Sequence, residues 1–452
     1  MTRAPADVRA LALVLLLGGC GNGAIDVQLR VPGGDHPLAG ADHVAVTLRD
    51  GAGATLAFAR SAGRAQALTL APVVAGDGYT VEVDATFNGD VIARGRSCRF
   101  DVSASKPPAV PVWFSRVGRF ALTSAPAVAR EQAVAIAWGD GALVVGGASG
   151  GSALASTELY DVPSATFGAG PLLTTPRAGA RAVLLADGTA LVIGGAAKGA
   201  PALEALTAAH STPEPAGLSP EIVEHVAALA SDGSVVVAGG RVGGVALPDA
   251  WRITDGGASV GALPPMAHAR AGATLISASS DAFAPLLVVG GLDETGAPVA
   301  EIETFDPRAG VFADGGIALA TPRADHTVTR LPTGLLLVVG GVDAGGAPIA
   351  GAEVIDPVNH VARPVASLRT ARSHHVATML PSGRVLVTGG LGADGAPLAD
   401  AEIFDPELGP EGDFVPTAPL DTPRADHALL PLCDGTWLVV GGGPGAEIYN
   451  PL

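Results

Sequence analysis

A glycine doublet occurs seven times in the sequence, and this repeat restricts the fold more than any other feature. The first glycines lie 45 to 52 residues apart, at Gly146, Gly194, Gly239, Gly290, Gly340, Gly389 and Gly441. Each doublet ends a short apolar run, and a second apolar run precedes it across a turn. Two further strand-like runs follow. Four short strands in a period of about fifty residues predict one blade of a β-propeller, so seven periods predict seven blades.

The last repeat stops after its third strand, and an earlier segment resembles the missing fourth one. Phe120 lies ten residues before Arg130, which is the spacing between Phe414 and Arg424. An exposed sheet edge is a liability that closed propellers avoid. We therefore expect residues 119–125 to pair with the last blade and to close the ring.

An arginine precedes the first strand of six repeats, and a glutamate lies on the third strand of the same six. The pairs are Arg130 with Glu158, Arg177 with Glu204, Arg270 with Glu303, Arg323 with Glu353, Arg372 with Glu402, and Arg424 with Glu447. In the third repeat Ile222 and Trp251 stand at these places, so both charges are absent together. Breaking a buried pair costs about 3–5 kcal/mol, whereas apolar replacement of both members can be neutral. We predict six structural ion pairs rather than catalytic residues.

The order of arginine, glycine doublet and a strand such as Glu303-Thr304-Phe305-Asp306 resembles the kelch repeat. The resemblance runs from residue 117 to the end and implies a seven-bladed kelch-like propeller. The tryptophan expected on the outer strand is missing, with Phe167, Phe312 and Phe414 nearby instead.

Copper radical oxidases also use seven kelch-like blades. Resemblance to them would require a Tyr–Cys cofactor with Tyr and His ligands, but Tyr160 and Tyr449 stand at core positions of the third strand. We therefore expect no cofactor and no catalytic site.

The innermost strand of each repeat begins near the axis of the predicted ring, and histidine occupies this start in four repeats. Asp325 and Asp426 precede two of the histidines. The candidate ligand-binding residues are therefore His225, His326, His375, His427, Asp325 and Asp426. A metal requires several donors converging on one point, which a wide ring does not favour, so we predict no metal site. We favour the interpretation that each histidine bonds backbone within its own blade, and ligand binding is the alternative.

Residues 1–19 are typical of a lipoprotein signal peptide. Arg3 and Arg9 supply positive charge, a short apolar core follows, and Leu17-Gly18-Gly19-Cys20 resembles the site at which bacterial lipoproteins are acylated and cut. We expect a lipid on Cys20 and a location in the bacterial cell envelope, at the outer membrane and facing the periplasm or the surface. The alternative is an ordinary secretory signal.

Residues 20–116 lack the repeat and alternate polar and apolar side chains between turns, which predicts an immunoglobulin-like β-sandwich. Export implies an oxidising compartment, so Cys98 and Cys433 are a possible disulfide, with two unpaired thiols as the alternative. The net charge of −17 argues against nucleic acid. Contact with the membrane is expected only through the lipid.

Strand alternation assigns the two faces of the predicted ring. The loops after the doublets share one face with the histidines, whereas the N-terminal domain enters on the other. We expect a non-catalytic envelope lipoprotein that binds a protein or glycan through the face with the post-doublet loops. The alternative is a carbohydrate-active enzyme, such as a sugar mutarotase or a divergent galactose-oxidase-like enzyme.

Overall fold

The computed structural model describes residues 9–15, 25–62, 67–68, 75–103, 108–214, 217–281 and 283–451. The regular secondary structure of these residues is β-strand, apart from one 3-10 helix at Asp255–Gly257. Within them, no helix has the length and apolar character needed to cross a bilayer.

Seven four-stranded antiparallel sheets form the seven blades of a propeller, which confirms the predicted architecture. The strands of blade one are Val134–Trp138, Gly141–Val145, Thr157–Asp161 and Thr166–Ala169. Those of blade two are Arg181–Leu184, Ala190–Ile193, Leu203–Leu206 and Ser211–Glu214. Those of blade three are Val226–Leu229, Val235–Ala238, Ala250–Thr254 and Ser259–Leu263. Those of blade four are Thr274–Ser277, Leu286–Val289, Glu301–Asp306 and Val311–Ala318.

The remaining blades follow the same order. The strands of blade five are Thr327–Arg330, Leu336–Val339, Ala352–Asp356 and Val361–Val365. Those of blade six are Val376–Met379, Val385–Thr388, Ala401–Asp405 and Asp413–Pro416. Those of blade seven are Ala428–Pro431, Trp437–Val440, Ala446–Asn450 and, from the beginning of the ring, Arg119–Leu122. Two short hairpins, Ala148–Ser149 with Ser152–Ala153 and Arg241–Val242 with Val245–Ala246, follow the doublets of blades one and three.

The first strands of successive blades contact one another, and the first strand of blade seven contacts that of blade one, so the ring is closed. Arg119–Leu122 closes blade seven by pairing antiparallel with Ala446–Asn450. Phe120 stands opposite Tyr449, and their ring centres are 4.7 Å apart. This is the pairing that the position of Phe120 predicts.

Aromatic pairs connect the third and outer strands of three further blades. Ring centres are 4.9 Å apart for Tyr160 and Phe167, 4.9 Å for Phe305 and Phe312, and 5.0 Å for Phe404 and Phe414. Directly opposed aromatic side chains stabilise neighbouring antiparallel strands.

Both glycines of each doublet are needed at the junction with the next blade. The N–H of the second glycine donates to the carbonyl that begins the next blade, at distances of 2.7 to 3.1 Å. The seven bonds are Gly147 to Arg177, Gly195 to Ile222, Gly240 to Arg270, Gly291 to Arg323, Gly341 to Arg372, Gly390 to Arg424 and Gly442 to Arg130. Both glycines of the Gly340 doublet have positive φ, and a Cβ on Gly340 would lie 2.6 Å from the carbonyl of Arg372. Only glycine fits such a conformation at such a distance.

All six Arg–Glu pairs are in contact within the blades, and their shortest nitrogen–oxygen distances range from 2.7 to 3.3 Å. Arg323 shows the arrangement. Its Nη2 lies 2.7 Å from Oε1 of Glu353, and its Nη1 donates to the carbonyl of Gly340 at 2.9 Å. Glu353 also accepts the N–H groups of Ala320 and Thr321. Each pair therefore ties the entry loop, the doublet and the third strand of one blade together.

In blade three, Ile222 and Trp251 are buried in a common apolar cluster with Leu203 and Val237. The carbonyl of Ile222 still accepts the N–H of Gly195. An apolar pair has therefore replaced an ionic one without loss of the backbone junction.

The N-terminal part is a single hydrogen-bonded sheet around one apolar core. Its strands are Arg9–Leu15, Asp26–Val31, His43–Arg49, Thr55–Ala62, Ala67–Leu68, Gly76–Phe87, Asp90–Arg96, Phe100–Val102 and Ala109–Arg116. Asp26–Val31 pairs in parallel with Ala109–Arg116, which brings both ends of the domain together. The immunoglobulin-like arrangement is not confirmed. Arg9–Leu15, within the predicted leader, pairs with Asp26–Val31, whereas Cys20 lies outside the described residues.

Covalent and polar contacts join the two domains on one face of the ring. Cys98 and Cys433 form a disulfide with Cα atoms 5.0 Å apart, and Cys433 lies in the turn after the first strand of blade seven. Asn450 donates from Nδ2 to the carbonyls of Arg94 at 2.8 Å and Ser115 at 3.0 Å. Because strands alternate direction, the post-doublet loops lie on the opposite face, which we call the free face.

Substitution Phe120→Ala tests the closure of the ring. Phe120 is half-buried against Tyr449, so we expect a loss of about 2–3 kcal/mol in the free energy of unfolding, measured with urea. Phe58→Ala is the matched control, because Phe58 is 60% exposed, and it should cost less than about 0.5 kcal/mol. If both substitutions lowered the free energy of unfolding equally, the closure of blade seven by Arg119–Leu122 would be contradicted.

A double-mutant cycle at Arg323 and Glu353 tests the ion pair. Arg323→Met alone should cost about 3–5 kcal/mol because it leaves a buried carboxylate without its cation. Combined with Glu353→Leu, the total loss should be smaller than that of Arg323→Met alone, as the apolar pair in blade three suggests. Additive losses would show that the two side chains act independently.

Candidate functional site

A cavity of about 540 Å³ opens at the centre of the free face. Its walls come from the residues that precede or begin the innermost strand of all seven blades. We call it the axial cavity. Its size is typical of small-molecule sites.

One residue per blade lines the axial cavity immediately before the histidine or alanine at the start of the innermost strand. These seven residues are Gln132, Gly179, Glu224, Gly272, Asp325, His374 and Asp426. All have φ between 50° and 70°, in the left-handed region. Five of them are not glycine, and such residues cost about 1–3 kcal/mol each unless the fold enforces them. Backbone bonds between blades enforce them here, from His374 N–H to Asp325 and from Asp426 N–H to His374.

His374 is held between two carboxylates from the neighbouring blades. Its Nδ1 lies 3.0 Å from Oδ1 of Asp426, and its Nε2 lies 3.6 Å from Oδ2 of Asp325. The hydrogen bond with Asp426, with further attraction from Asp325 and Glu224, raises the pKa of His374 to about 9 although burial opposes this. The imidazole is therefore a cation at neutral pH. Burial raises the pKa of Asp325 above its usual value.

Among the described residues, Arg181 is the one arginine or lysine in the lining of the axial cavity. Its Nε donates to the carbonyl of His225 at 3.1 Å, which fixes the direction of the guanidinium. Its Nη1 and Nη2 have no acceptor among the described residues, and the side chain reaches the solvent of the cavity. Enclosure by the blades lowers the pKa of Arg181, while Asp426, Asp325 and Glu224 oppose the shift.

The cavity lining is mixed in charge rather than uniformly acidic. Arg181 and protonated His374 are positive, whereas Glu224, Asp325 and Asp426 are negative. Glu224 is already paired, because the Nε of Arg241 lies 3.1 Å from its Oε2. Asp426 remains accessible, with half of its side chain exposed.

The four predicted histidines are almost fully buried, although His326, His375 and His427 border the axial cavity, so their role as ligand-binding residues stays a prediction. His225, His326, His375 and His427 are at most 6% exposed, and burial keeps them neutral by lowering the pKa of each, to about 3 for His225, His326 and His427. In place of backbone bonds within each blade, two of the four histidines bond a neighbouring blade, whereas the ring nitrogens of His225 and His326 have no hydrogen-bond partner among the described residues. His375 and His427 bond the hydroxyls of Thr327 and Thr388, in the preceding blade, at 2.9 and 2.8 Å. The Cε1 of His375 packs against Gly340, so its role is to fill the junction.

Of the predicted candidates, Asp325, Asp426, His326, His375 and His427 line the axial cavity and His225 does not, whereas the sequence reasoning missed Arg181, Glu224 and His374. The sequence nevertheless contains a pattern that marks these three residues. His374 and Glu224 stand in the same repeat position as Asp325 and Asp426. Arg181 stands where the other repeats have Val, Thr or Ala.

The aspartates of the post-doublet loops are used within their own turns. Asp293 accepts N–H groups of Thr295 and Ala297, and Asp343 those of Gly345 and Ala347. Across the described ranges, no group of three or more His, Cys, Asp or Glu side chains is arranged to hold a metal ion.

Comparison with solved structures identifies a fungal alcohol oxidase of the AA5 family, in complex with copper, as similar in fold. The two chains are 19% identical, with a TM-score of 0.60 over 74% of this chain and 77% of the oxidase. No protein-family model and no curated protein sequence matches the chain. The likeness concerns the fold alone.

The described residues do not fit the donor set that the resemblance to copper radical oxidases implies. The hydroxyl of Tyr160 is buried and bonds Thr123 at 2.9 Å, and Tyr449 is buried beneath Phe120. Cys433 is bonded to Cys98 at the face opposite the axial cavity. We derive no copper chemistry from this arrangement.

The raised pKa of His374 predicts a pH-dependent contribution to stability. The folded value of about 9 exceeds the ordinary value of 6.5, so the contribution is complete below about pH 6.5 and is lost as pH rises through 9. Because one third of the side chain is exposed, we expect only about 1–2 kcal/mol. The free energy of unfolding should therefore differ between the wild type and His374→Gln at pH 6 and converge at pH 10. If the difference in the free energy of unfolding were the same at pH 6 and pH 10, the proposed charge interaction of His374 with Asp325 and Asp426 would be contradicted.

Proposed function

We propose that the protein is a lipid-anchored envelope protein that binds a protein or glycan partner through its free face, without catalysis. The axial cavity carries this proposal. It is open, it lies at the centre of the free face, and it contains charged groups that the ring forces into strained conformations. All seven blades share one backbone conformation at the position before the histidine or alanine of the innermost strand, but its side chain differs between blades, from Gln to Gly, Glu, Asp and His, and this variation favours a role in recognition.

The proposed anchor is consistent with the position of the N-terminal domain. In the sequence, Leu17-Gly18-Gly19-Cys20 lies shortly before Asp26–Val31, a strand of the domain that is bonded through Cys98 to the face opposite the axial cavity. A lipid on Cys20 would hold the protein at the membrane without a spanning helix. The free face would then point away from the domain that carries the lipid.

An acid–base enzyme acting on a carbohydrate, such as a mutarotase, is the second candidate. The contact of His374 with Asp426 within an open cavity favours it, because an imidazolium held by a carboxylate can act as a general acid. A mutarotation assay tests this candidate directly. A rate that falls by about a hundredfold in His374→Gln would replace the binding function by an enzymatic one.

A pair of charge reversals tests the binding function. Asp426→Lys changes the axial cavity, whereas Asp140→Lys places the same change in an exposed turn of the other face. We expect immobilised full-length protein to retain an envelope component, and Asp426→Lys to weaken this binding by about tenfold or more. Asp140→Lys should leave the binding unchanged.

Treatment of the extract distinguishes the two kinds of partner. Loss of binding after proteolysis indicates a protein, and loss after periodate oxidation indicates a glycan. Equal binding by both charge-reversal variants would contradict the role of the free face.

A further inference from the structure

We infer that the axial cavity takes a small zwitterion, an amino acid or a short peptide with free termini, with the carboxylate on Arg181 and the ammonium on Asp426. This inference rests on the proposed function, because it names the chemistry recognised at the same cavity. The ligand is either free or the exposed end of a larger partner.

Arg181 supplies the site for the carboxylate. Its Nε is already used by the carbonyl of His225, so the guanidinium is held in place before a ligand arrives. The two Nη atoms form the remaining edge, and they face the cavity without an acceptor in the described structure. Two parallel N–H donors of this kind match a carboxylate, which can accept both bonds at once. Because the group is held before binding, little side-chain entropy is lost on binding.

Asp426 supplies the site for the ammonium. Its Oδ1 is bonded to His374, but half of the side chain is exposed to the cavity. Glu224 is paired with Arg241, as Asp426 is with His374, and Asp325 is mostly buried. Asp426 has the most exposed carboxylate of the three, with 50% of its side chain accessible against 46% for Glu224 and 22% for Asp325.

The balance of charges separates a zwitterion from simpler ligands. A simple amine would leave the guanidinium edge of Arg181 unpaired, and a simple carboxylate would meet three carboxylates of the lining. An uncharged polyol would pair with both groups but would neutralise neither. A molecule that carries both charges satisfies each group, and about 540 Å³ is sufficient for an amino acid or a dipeptide.

Calorimetric titration of the full-length protein tests the inference with five small probes. L-Alanine and glycylglycine carry both charges, ethylamine carries only the positive one, and propionate only the negative one. Glucose is the uncharged polyol. We expect one of the zwitterions to bind about tenfold more tightly than ethylamine, propionate or glucose.

Variants of the two anchoring groups complete the test. Arg181→Gln and Asp426→Asn should each weaken zwitterion binding by about tenfold or more, and Arg181→Lys should recover only part of the loss because it lacks the planar fork. Arg369→Gln is the matched control, since Arg369 is an exposed arginine of the free face outside the cavity, and it should bind normally. Unchanged thermal unfolding in each variant excludes loss of fold.

Equal affinity for a zwitterion and for ethylamine or glucose would overturn the inference, as would full binding by Arg181→Gln. Absence of binding by every probe would also overturn it. If envelope partners are still captured and still lost in Asp426→Lys, such a result removes the zwitterion and leaves the proposed binding function in place. If the protein binds neither a zwitterionic probe nor an envelope partner, both proposals fail.

Discussion

The ring depends on one hydrogen bond repeated seven times, from the second glycine of each doublet to the first carbonyl of the next blade. This bond uses only backbone atoms, which explains why it survives in blade three, where Ile222 replaces arginine. It also closes the ring, since Gly442 bonds Arg130. In six blades the side chain of the same arginine binds the first glycine carbonyl and the glutamate of its own blade. One short motif thus joins neighbouring blades and organises each blade internally.

The same junction determines what faces the axis. Each innermost strand begins directly after it, and the residue before the buried histidine or alanine is forced into the left-handed region. In a seven-fold scaffold this position is repeated, so its chemistry is free to differ while the fold stays constant. At this position Glu224, Asp325, His374 and Asp426 supply different charges. Arg181 lies two residues further along the innermost strand of blade two and adds a positive charge. Function is therefore expected where the repeat is least regular.

The sequence was sufficient for features that repeat and insufficient for those that do not. Glycine spacing predicted the blades, and the joint loss of Arg and Glu at Ile222 and Trp251 predicted a buried pair that the structure brings together. The residue before each histidine was not singled out, because a one-residue shift at a strand entry exchanges an axial side chain for a largely buried one. His374 was overlooked beside His375 for this reason. In the N-terminal domain, alternation predicted strands, but the parallel pairing of Asp26–Val31 with Ala109–Arg116 joins distant segments and has no local signal.

The most direct test is a crystal structure of the full-length protein purified from its native source. The account predicts an open axial cavity in which Arg181 and Asp426 are bridged by a bound molecule or by ordered water, with His374 between Asp325 and Asp426. A cavity filled by protein side chains, with the guanidinium of Arg181 turned onto a carboxylate of its own chain, would contradict it.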